Sequence, residues 1–224
     1  MLAPMNEDSE YWARYYEVTA ERPAWTTVKE AIARFGPVGG VFGGDPAGLP
    51  DATGAVAPAE PRRAVDLGCG AGRDTRELLR AGWQVLAVDR EPGAEAALRA
   101  ALEPGLESRL SVRIEDLATV DVPACDLVNA SLCLPFLAPA AFDAVWDRIV
   151  AALGPGDRFA AMLFGDHDGS AADPAMTCLP PDRIRSMLSG FEIEFWSDTE
   201  EDTRTALGEP HHFHLIEFVA RKNT

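Results

Sequence analysis

The chain has 224 residues and carries 36 Asp and Glu against 20 Lys and Arg, a formal net charge of −16. That length predicts one domain with a substantial core, and the charge disfavours nucleic acid or an anionic membrane as a partner, which leaves a small organic substrate as the easier fit. No apolar run is long enough to span a bilayer, and the acidic start, MLAPMNEDSE, does not read as a signal or transit peptide, so the expected location is the cytoplasm.

Residues 1–35 read as a two-helix lid. Glu10 to Val18 places Tyr11, Trp12, Tyr15 and Tyr16 at helical spacing, and Pro23 can open a second helix through Val28, Ile32 and Phe35. Core packing and contact with a ligand are equal readings of the four rings. Residues 36–61, rich in Gly, Pro and Ala, read as an irregular linker.

From residue 62 to 224, strand and helix patterns alternate. Strands are predicted near 64–67, 84–89, 110–114, 125–129, 158–164, 192–196 and 212–220, and helices near 73–80, 93–102, 139–152 and 181–188. No helical pattern separates the last two strands, so they are expected to form an antiparallel hairpin. The stretch EFWSDTEED, 194–202, reads as a solvated acidic loop. The predicted fold is α/β: a Rossmann-like, doubly wound, mostly parallel seven-stranded sheet with an antiparallel last strand, plus an N-terminal helical cap. Cys69, Cys125, Cys133 and Cys178 show no C-x-x-C spacing and are expected to be reduced thiols.

The most informative segment is VDLGCGAGRDT, 65–75, a buried strand, a glycine-rich turn and a helix start in succession. A dinucleotide is the first candidate ligand, because Gly68-x-Gly70 is followed 21 residues later by Asp89 at the end of a second apolar strand. Two residues argue against it. Arg73 stands where close helix packing would want a glycine, and Asp66 would repel a phosphate but suits a cofactor bearing an ammonium or sulfonium cation.

The form D-x-G-x-G-x-G resembles the first motif of the class I S-adenosylmethionine-dependent methyltransferases. LGCGAGRDT, VDREP, LFGDHD and TALGEPHHFH extend the resemblance, over nearly the whole chain, to small bacterial methyltransferases of the tellurite-resistance type. It implies S-adenosylmethionine as cofactor and S-adenosylhomocysteine as product. Gly68, Cys69 and Gly70 would then approach the methionine part, with Asp66 on its amino group and Arg73 or Arg22 on its carboxylate. Asp74 and Thr75 open the helix beside it, and Tyr16 reaches down from the lid. Asp89, with Arg90 next to it, would accept the ribose hydroxyls, and Asp116 and Leu117 would hold adenine. Asn129 and Ala130 would face the transferred methyl.

Substrate contacts are expected from Ser131, Phe136 and His214, and from Tyr11, Trp12 and Tyr15 of the lid. The run Asn129-Ala130-Ser131-Leu132 lacks the Asn/Asp-Pro-Pro-aromatic sequence of base- and glutamine-modifying enzymes of this fold, so those activities are disfavoured. LFGDHDG puts His167 forward as a general base oriented by Asp166, with His212 as a further candidate. By strand alternation His212 and His214 share a face, and His211 takes the other. A metal site built on these histidines is set aside, because their spacing completes no recognisable zinc or iron set.

The function expected is methyl transfer to O, N or S of a small molecule. Three alternatives stay open: transfer to a chalcogen oxyanion, cofactor binding without transfer, and a dinucleotide-dependent oxidoreductase.

Overall fold

A computed structural model of the chain describes residues 9–36 and 61–224. The linker expected over 36–61 therefore lies almost wholly outside the described residues, as do the first eight residues of the lid. Strands β1 (Arg63–Leu67), β2 (Gln84–Asp89), β3 (Leu110–Ile114), β4 (Cys125–Ser131), β5 (Leu153–Gly165), β6 (Cys178–Leu179), β7 (Phe191–Arg204) and β8 (Pro210–Lys222) form one sheet. Its order is β3-β2-β1-β4-β5-β8-β7, with the two-residue β6 paired to the end of β5. Only β8 runs against its neighbours. The sheet thus has eight strands where seven were expected, the extra one being the short β6.

Helices α1 (Ser9–Thr19), α2 (Thr26–Phe35), α3 (Arg73–Arg80), α4 (Pro92–Ala100), α5 (Pro139–Ala152) and α6 (Pro181–Met187) complete the fold. Two apolar layers sandwich the sheet. On one face Val28 and Ala31 of α2 join Leu78, Leu79 and Leu98 of α3 and α4 against Val85, Leu127, Ala160 and Val219. On the other, Phe142, Val145, Trp146 and Ile149 of α5 pack on Val128, Phe159 and Phe218. Each fully buried aliphatic side chain of this kind contributes about 1.5–3 kcal/mol. The second lid helix is therefore part of the core, and α1 alone stands over the strand ends.

Helix α2, strand β5 and the β7–β8 hairpin differ from their predicted extents, β5 starting at Leu153, which pairs with Cys125, and not near 158. Helix α2 starts at Thr26 with Trp25 as its N-cap, three residues after Pro23, because the Trp25 N–H is taken by the Asp74 carboxylate at 2.9 Å. The β7–β8 hairpin reaches far beyond 192–196 and 212–220. Pairs run without a break from Phe195↔Val219 to Arg204↔Pro210, so the acidic segment expected as a loop is a strand, exposed at every residue from Asp198 to Arg204. Among the described residues no helix is long and apolar enough to cross a membrane.

Candidate active site

The chemistry gathers at the carboxyl ends of the strands, where an open α/β sheet leaves a crevice. A cavity of about 330 Å³ runs along this edge, from the ends of β3, β2 and β1 under α1 to the ends of β4, β5 and β8 and the hairpin tip. The size suits a small ligand.

The glycine loop forms its floor. Gly68 has φ +65°, and a Cβ there would lie 2.2 Å from Cβ of Cys133, so only glycine lets the loop pass under the exit of β4. Gly70, at φ +51°, donates its N–H to Oδ2 of Asp89 at 2.8 Å and lies beneath the Tyr16 ring. Cys69 lines the cavity between them, its thiol pushed up by burial.

Below the loop sits a buried polar network. Thr75 Oγ1 donates to Asp66 at 2.5 Å, and Asn129 Nδ2 donates to Asp66 at 2.8 Å and to Asp74 at 3.1 Å. Burial, then the nearby Asp74 charge, pushes Asp66 up to about 7. Thr75 and Asn129 hold their hydrogen bonds from outside the cavity. Asn129, Ala130 and Thr75 are fully buried and do not line it, so the expectation that Asn129 and Ala130 face a bound methyl is corrected. Asn129 and Ser131 share a face of β4, with Ser131 Oγ donating to Asn129 Oδ1 at 3.4 Å, and only Ser131, two residues nearer the strand end, reaches the cavity.

On β2, Oδ1 of Asp89 accepts from Tyr16 Oη at 3.1 Å and from the Glu91 N–H at 2.9 Å. Burial pushes Asp89 up, and burial with the Asp89 charge pushes the Tyr16 phenol up. Next to it, Arg90 contacts Glu91 at 3.4 Å, and Glu91 accepts from Ser9 Oγ at 2.9 Å. Helix α1 is thus fastened at both ends, since Arg76 also donates to the Ala20 carbonyl.

Arg73 stacks on Trp25 with its guanidinium carbon 3.8 Å from the ring centre, and burial holds its pKa below the usual value. It and Arg22 line the cavity, and neither pairs with a carboxylate among the described residues. At the other margin Asp116 and Leu117 line the exit of β3, with Asp116 Oδ1 accepting the Ala118 N–H at 2.8 Å.

The ends of β4, β5 and β8 make the second half. Leu132 adopts φ +53° between Ser131 and Cys133, a strained conformation for a residue with a Cβ, and all three line the cavity. Phe136, Phe164, Phe213 and Leu215 follow, with Thr203 to Ala206 of the hairpin tip opposite Tyr11, Trp12 and Tyr15 of α1. Burial, then Tyr15 and Glu209, pushes the Tyr11 phenol up to about 12.

The histidines lie elsewhere. On β8, residues 213 and 215 face the cavity, so His212 and His214 face away from it. The His167 side chain is 65% exposed and bonds Glu200 at 2.9 Å, and His212 bonds Asp202 at 2.8 Å. Those carboxylates raise both imidazole pKa values. Asp166 is exposed beside them. His167, Asp166 and His212 as catalytic groups, and His214 as a substrate contact, are therefore corrected: the shared face is as expected, but it is the outer one.

His214 is buried against Gly165, with Nδ1 accepting the His167 N–H at 3.1 Å and Nε2 on Asp198 at 3.0 Å. Asp166, His167 and His214 bring ligand-type atoms within 4.8 Å of one another, but both nitrogens of His214 are already bonded. Asp168, unnoticed in the sequence, is buried and accepts from the backbone of Ser170 and His214 while facing His211 at 3.0 Å. Its Asx-turn setting, Asp-Gly-Ser, is the one local signal that marks it.

Residues 64–156 match a family model described as a methyltransferase domain. No curated protein matches the sequence. Among solved structures the chain is similar to the 1,6-didemethyltoxoflavin-N1-methyltransferase of Burkholderia thailandensis, crystallised with 1,6-didemethyltoxoflavin and S-adenosylhomocysteine. Identity is 22%, the TM-score 0.63, and the match covers 96% of this chain and 87% of that one. It is similar to TehB of Haemophilus influenzae at 17% identity and TM-score 0.61, over 74% of this chain and 59% of TehB. A third likeness is the [4+2]-cyclase SpnF, at 20% identity and TM-score 0.57, over 73% and 75% of the two chains. At these identities the likeness is one of fold. The methyltransferase-domain match thus spans the glycine loop and the strands on either side of it, and the chain as a whole has the fold seen in S-adenosylmethionine-dependent methyltransferases.

Proposed function

We propose that this protein transfers a methyl group from S-adenosylmethionine to an O, N or S atom of a small-molecule acceptor. One observation carries the reading: a single cavity joins the glycine loop, Asp66 and Asp89 to a second, largely apolar chamber, under the cover of α1 and the hairpin tip. The donor set of the first chamber fits the cofactor. Arg73 and Arg22 suit a carboxylate, Asp66 an ammonium, Asp89 a pair of hydroxyls and Asp116 an exocyclic amine. S-adenosylmethionine, when bound, supplies a methyl carbon activated by a sulfonium.

The chain's own residues hold and align. In-line displacement needs positioning and exclusion of water more than covalent chemistry. Trp12, Tyr15 and Tyr16 supply a roof, and the left-handed Leu132 brings the β4 exit into the wall between the chambers. The B. thailandensis neighbour, crystallised with a small-molecule substrate, supports a small acceptor, as does the net charge of −16. Four cysteines without a disulfide fit a reducing, cytoplasmic setting.

Calorimetric titration with S-adenosylmethionine, S-adenosylhomocysteine and NAD(P)H tests the reading. Micromolar binding of the two adenosyl ligands and none of NAD(P)H is expected. Binding of NAD(P)H instead would replace the methyltransferase reading with an oxidoreductase one.

A further inference from the structure

The sheet order divides the cavity into two chemically unlike halves. Among the described residues every carboxylate that lines it, Asp66, Asp74, Asp89, Glu91 and Asp116, belongs to β1, β2, β3 or the segments leaving them. The half formed by β4, β5, β8 and the hairpin tip has no Asp, Glu, His or Lys among its described lining residues. Its Cys133 thiol is held well up by burial, and so is not an available base.

Rings make its walls instead. Trp12 meets Phe136 edge to face at 5.4 Å, Phe136 meets Phe164 at 5.9 Å, and Phe164 meets Phe213 at 6.3 Å. This row crosses from the lid to β8 over the ends of β4 and β5. One cation, Arg204, stands at the hairpin tip, and it pairs with no carboxylate among the described residues.

We propose that the acceptor is a flat aromatic or heteroaromatic small molecule whose methylated atom already carries an available lone pair at neutral pH, such as a pyridine-type ring nitrogen or an ionised enol oxygen. The proposal rests on the methyltransferase reading and narrows it. Aromatic edges and faces at 5–6 Å spacing favour a flat solute over a polyol or a flexible chain. An alkylammonium or an alcohol must lose a proton on the way to product, and no described residue lining this half takes it: the nearest imidazole, His211, packs on Phe213 outside the lining, with Nε2 on Asp168 at 3.0 Å. A tellurite-type oxyanion needs several convergent donors, and Arg204 is the one cation among the described residues lining this half.

In the reaction so defined, the acceptor lone pair forms the bond to the methyl carbon as the carbon–sulfur bond breaks. The electron pair of that bond stays on sulfur, leaving a neutral thioether. The acceptor's charge rises by one, and any proton it then sheds goes to water.

The experiment is binding to protein saturated with S-adenosylhomocysteine, read by calorimetry. The flat probes are lumazine, xanthine and isoquinoline, and the others are putrescine, 2-mercaptoethanol and sodium tellurite. At least one flat probe is expected to bind, and to support S-adenosylhomocysteine release when S-adenosylmethionine replaces the product. Phe213→Ala and the volume-sparing Phe213→Leu should each weaken that probe about 3- to 10-fold, the range for loss of an aromatic contact. S-adenosylhomocysteine affinity should stay within about twofold, since Phe213 lies in the other half. Binding by putrescine, the thiol or tellurite alone, or by no flat probe at all, overturns the proposal. Loss of S-adenosylhomocysteine binding itself, in folded wild-type protein, overturns the methyltransferase reading beneath it.

Discussion

The Tyr16 hydroxyl donates to Oδ1 of Asp89 at 3.1 Å, so the lid helix is fastened to the carboxylate best placed to accept ribose hydroxyls. Lid and ligand therefore compete for one oxygen. Tyr16→Phe removes the competitor and keeps the ring over Gly70. It should tighten S-adenosylhomocysteine binding by about 2- to 12-fold, the equivalent of a hydrogen bond worth about 0.5–1.5 kcal/mol, and lower folding stability by a similar amount. Calorimetry and urea unfolding read the two effects. Weaker binding would make Tyr16 a direct contact instead of a latch.

Asp89→Ala removes the acceptor that Gly70, Glu91 and Tyr16 converge on. The cofactor dissociation constant should rise at least about tenfold, because a charge-assisted hydrogen-bonded contact is worth about 1.5–3 kcal/mol. Titration with S-adenosylhomocysteine checks it, and an unchanged constant removes Asp89 from the site.

The alternation of short apolar strands with amphipathic helices was legible in the sequence from Arg63 to Met187, because burial on both faces leaves no other pattern for VDL, VLAVD and DLVNA. The glycine loop was legible for the same reason that it works: Gly68 and Gly70 need conformations that few other residues adopt. The hairpin was not. Asp198, Glu200 and Asp202 belong to a solvated strand face, and their charge conceals the pairing of their backbone with Ile216, His214 and His212. Period-two alternation placed His212 with His214, yet it says only which residues share a face. Which face meets the cavity is decided by the sheet's packing, and there Phe213 and Leu215 were overlooked.

Asp66 gives the fold a pH dependence of definite sign. Its ordinary value is 3.8 and its folded value about 7, so between these the native state holds a proton that the unfolded chain has lost. Stability contributed by the protonated form is therefore present below about pH 4 and is lost as the pH rises through about 7. Asp66→Asn keeps the shape and cannot ionise. Urea unfolding at pH 5 and pH 7.5 should show a smaller loss of stability for the variant than for the wild type. Equal losses would mean that Asp66 is ionised at ordinary acidity in the folded protein.

Gly68→Ala tests the close crossing of loop and strand. An alanine at φ +65° is strained, and its Cβ would stand 2.2 Å from that of Cys133, which lies on a constrained strand exit. The left-handed conformation alone costs about 1–2 kcal/mol, and the overlap adds to it. The variant should melt several degrees lower and lose S-adenosylhomocysteine binding through displacement of the loop. A variant with wild-type melting temperature would show that the β4 exit can retreat.

The histidines separate chemistry from architecture. His167 is exposed on the outer face of the hairpin, whereas His214 is buried, packs on Gly165 and links the His167 backbone to Asp198. His167→Gln should leave kcat/KM within about twofold, because the side chain is exposed and does not line the cavity, and should change stability by no more than about 0.5 kcal/mol. His214→Ala should lower stability by about 1–3 kcal/mol, the penalty of stranding buried polar partners. Its turnover per folded molecule should change far less than its melting temperature, since Phe213 and Leu215 keep their places on the inner face. A loss of a hundredfold or more in kcat/KM for His167→Gln at unchanged stability would restore His167 as a base and require the hairpin to turn its outer face inward during turnover.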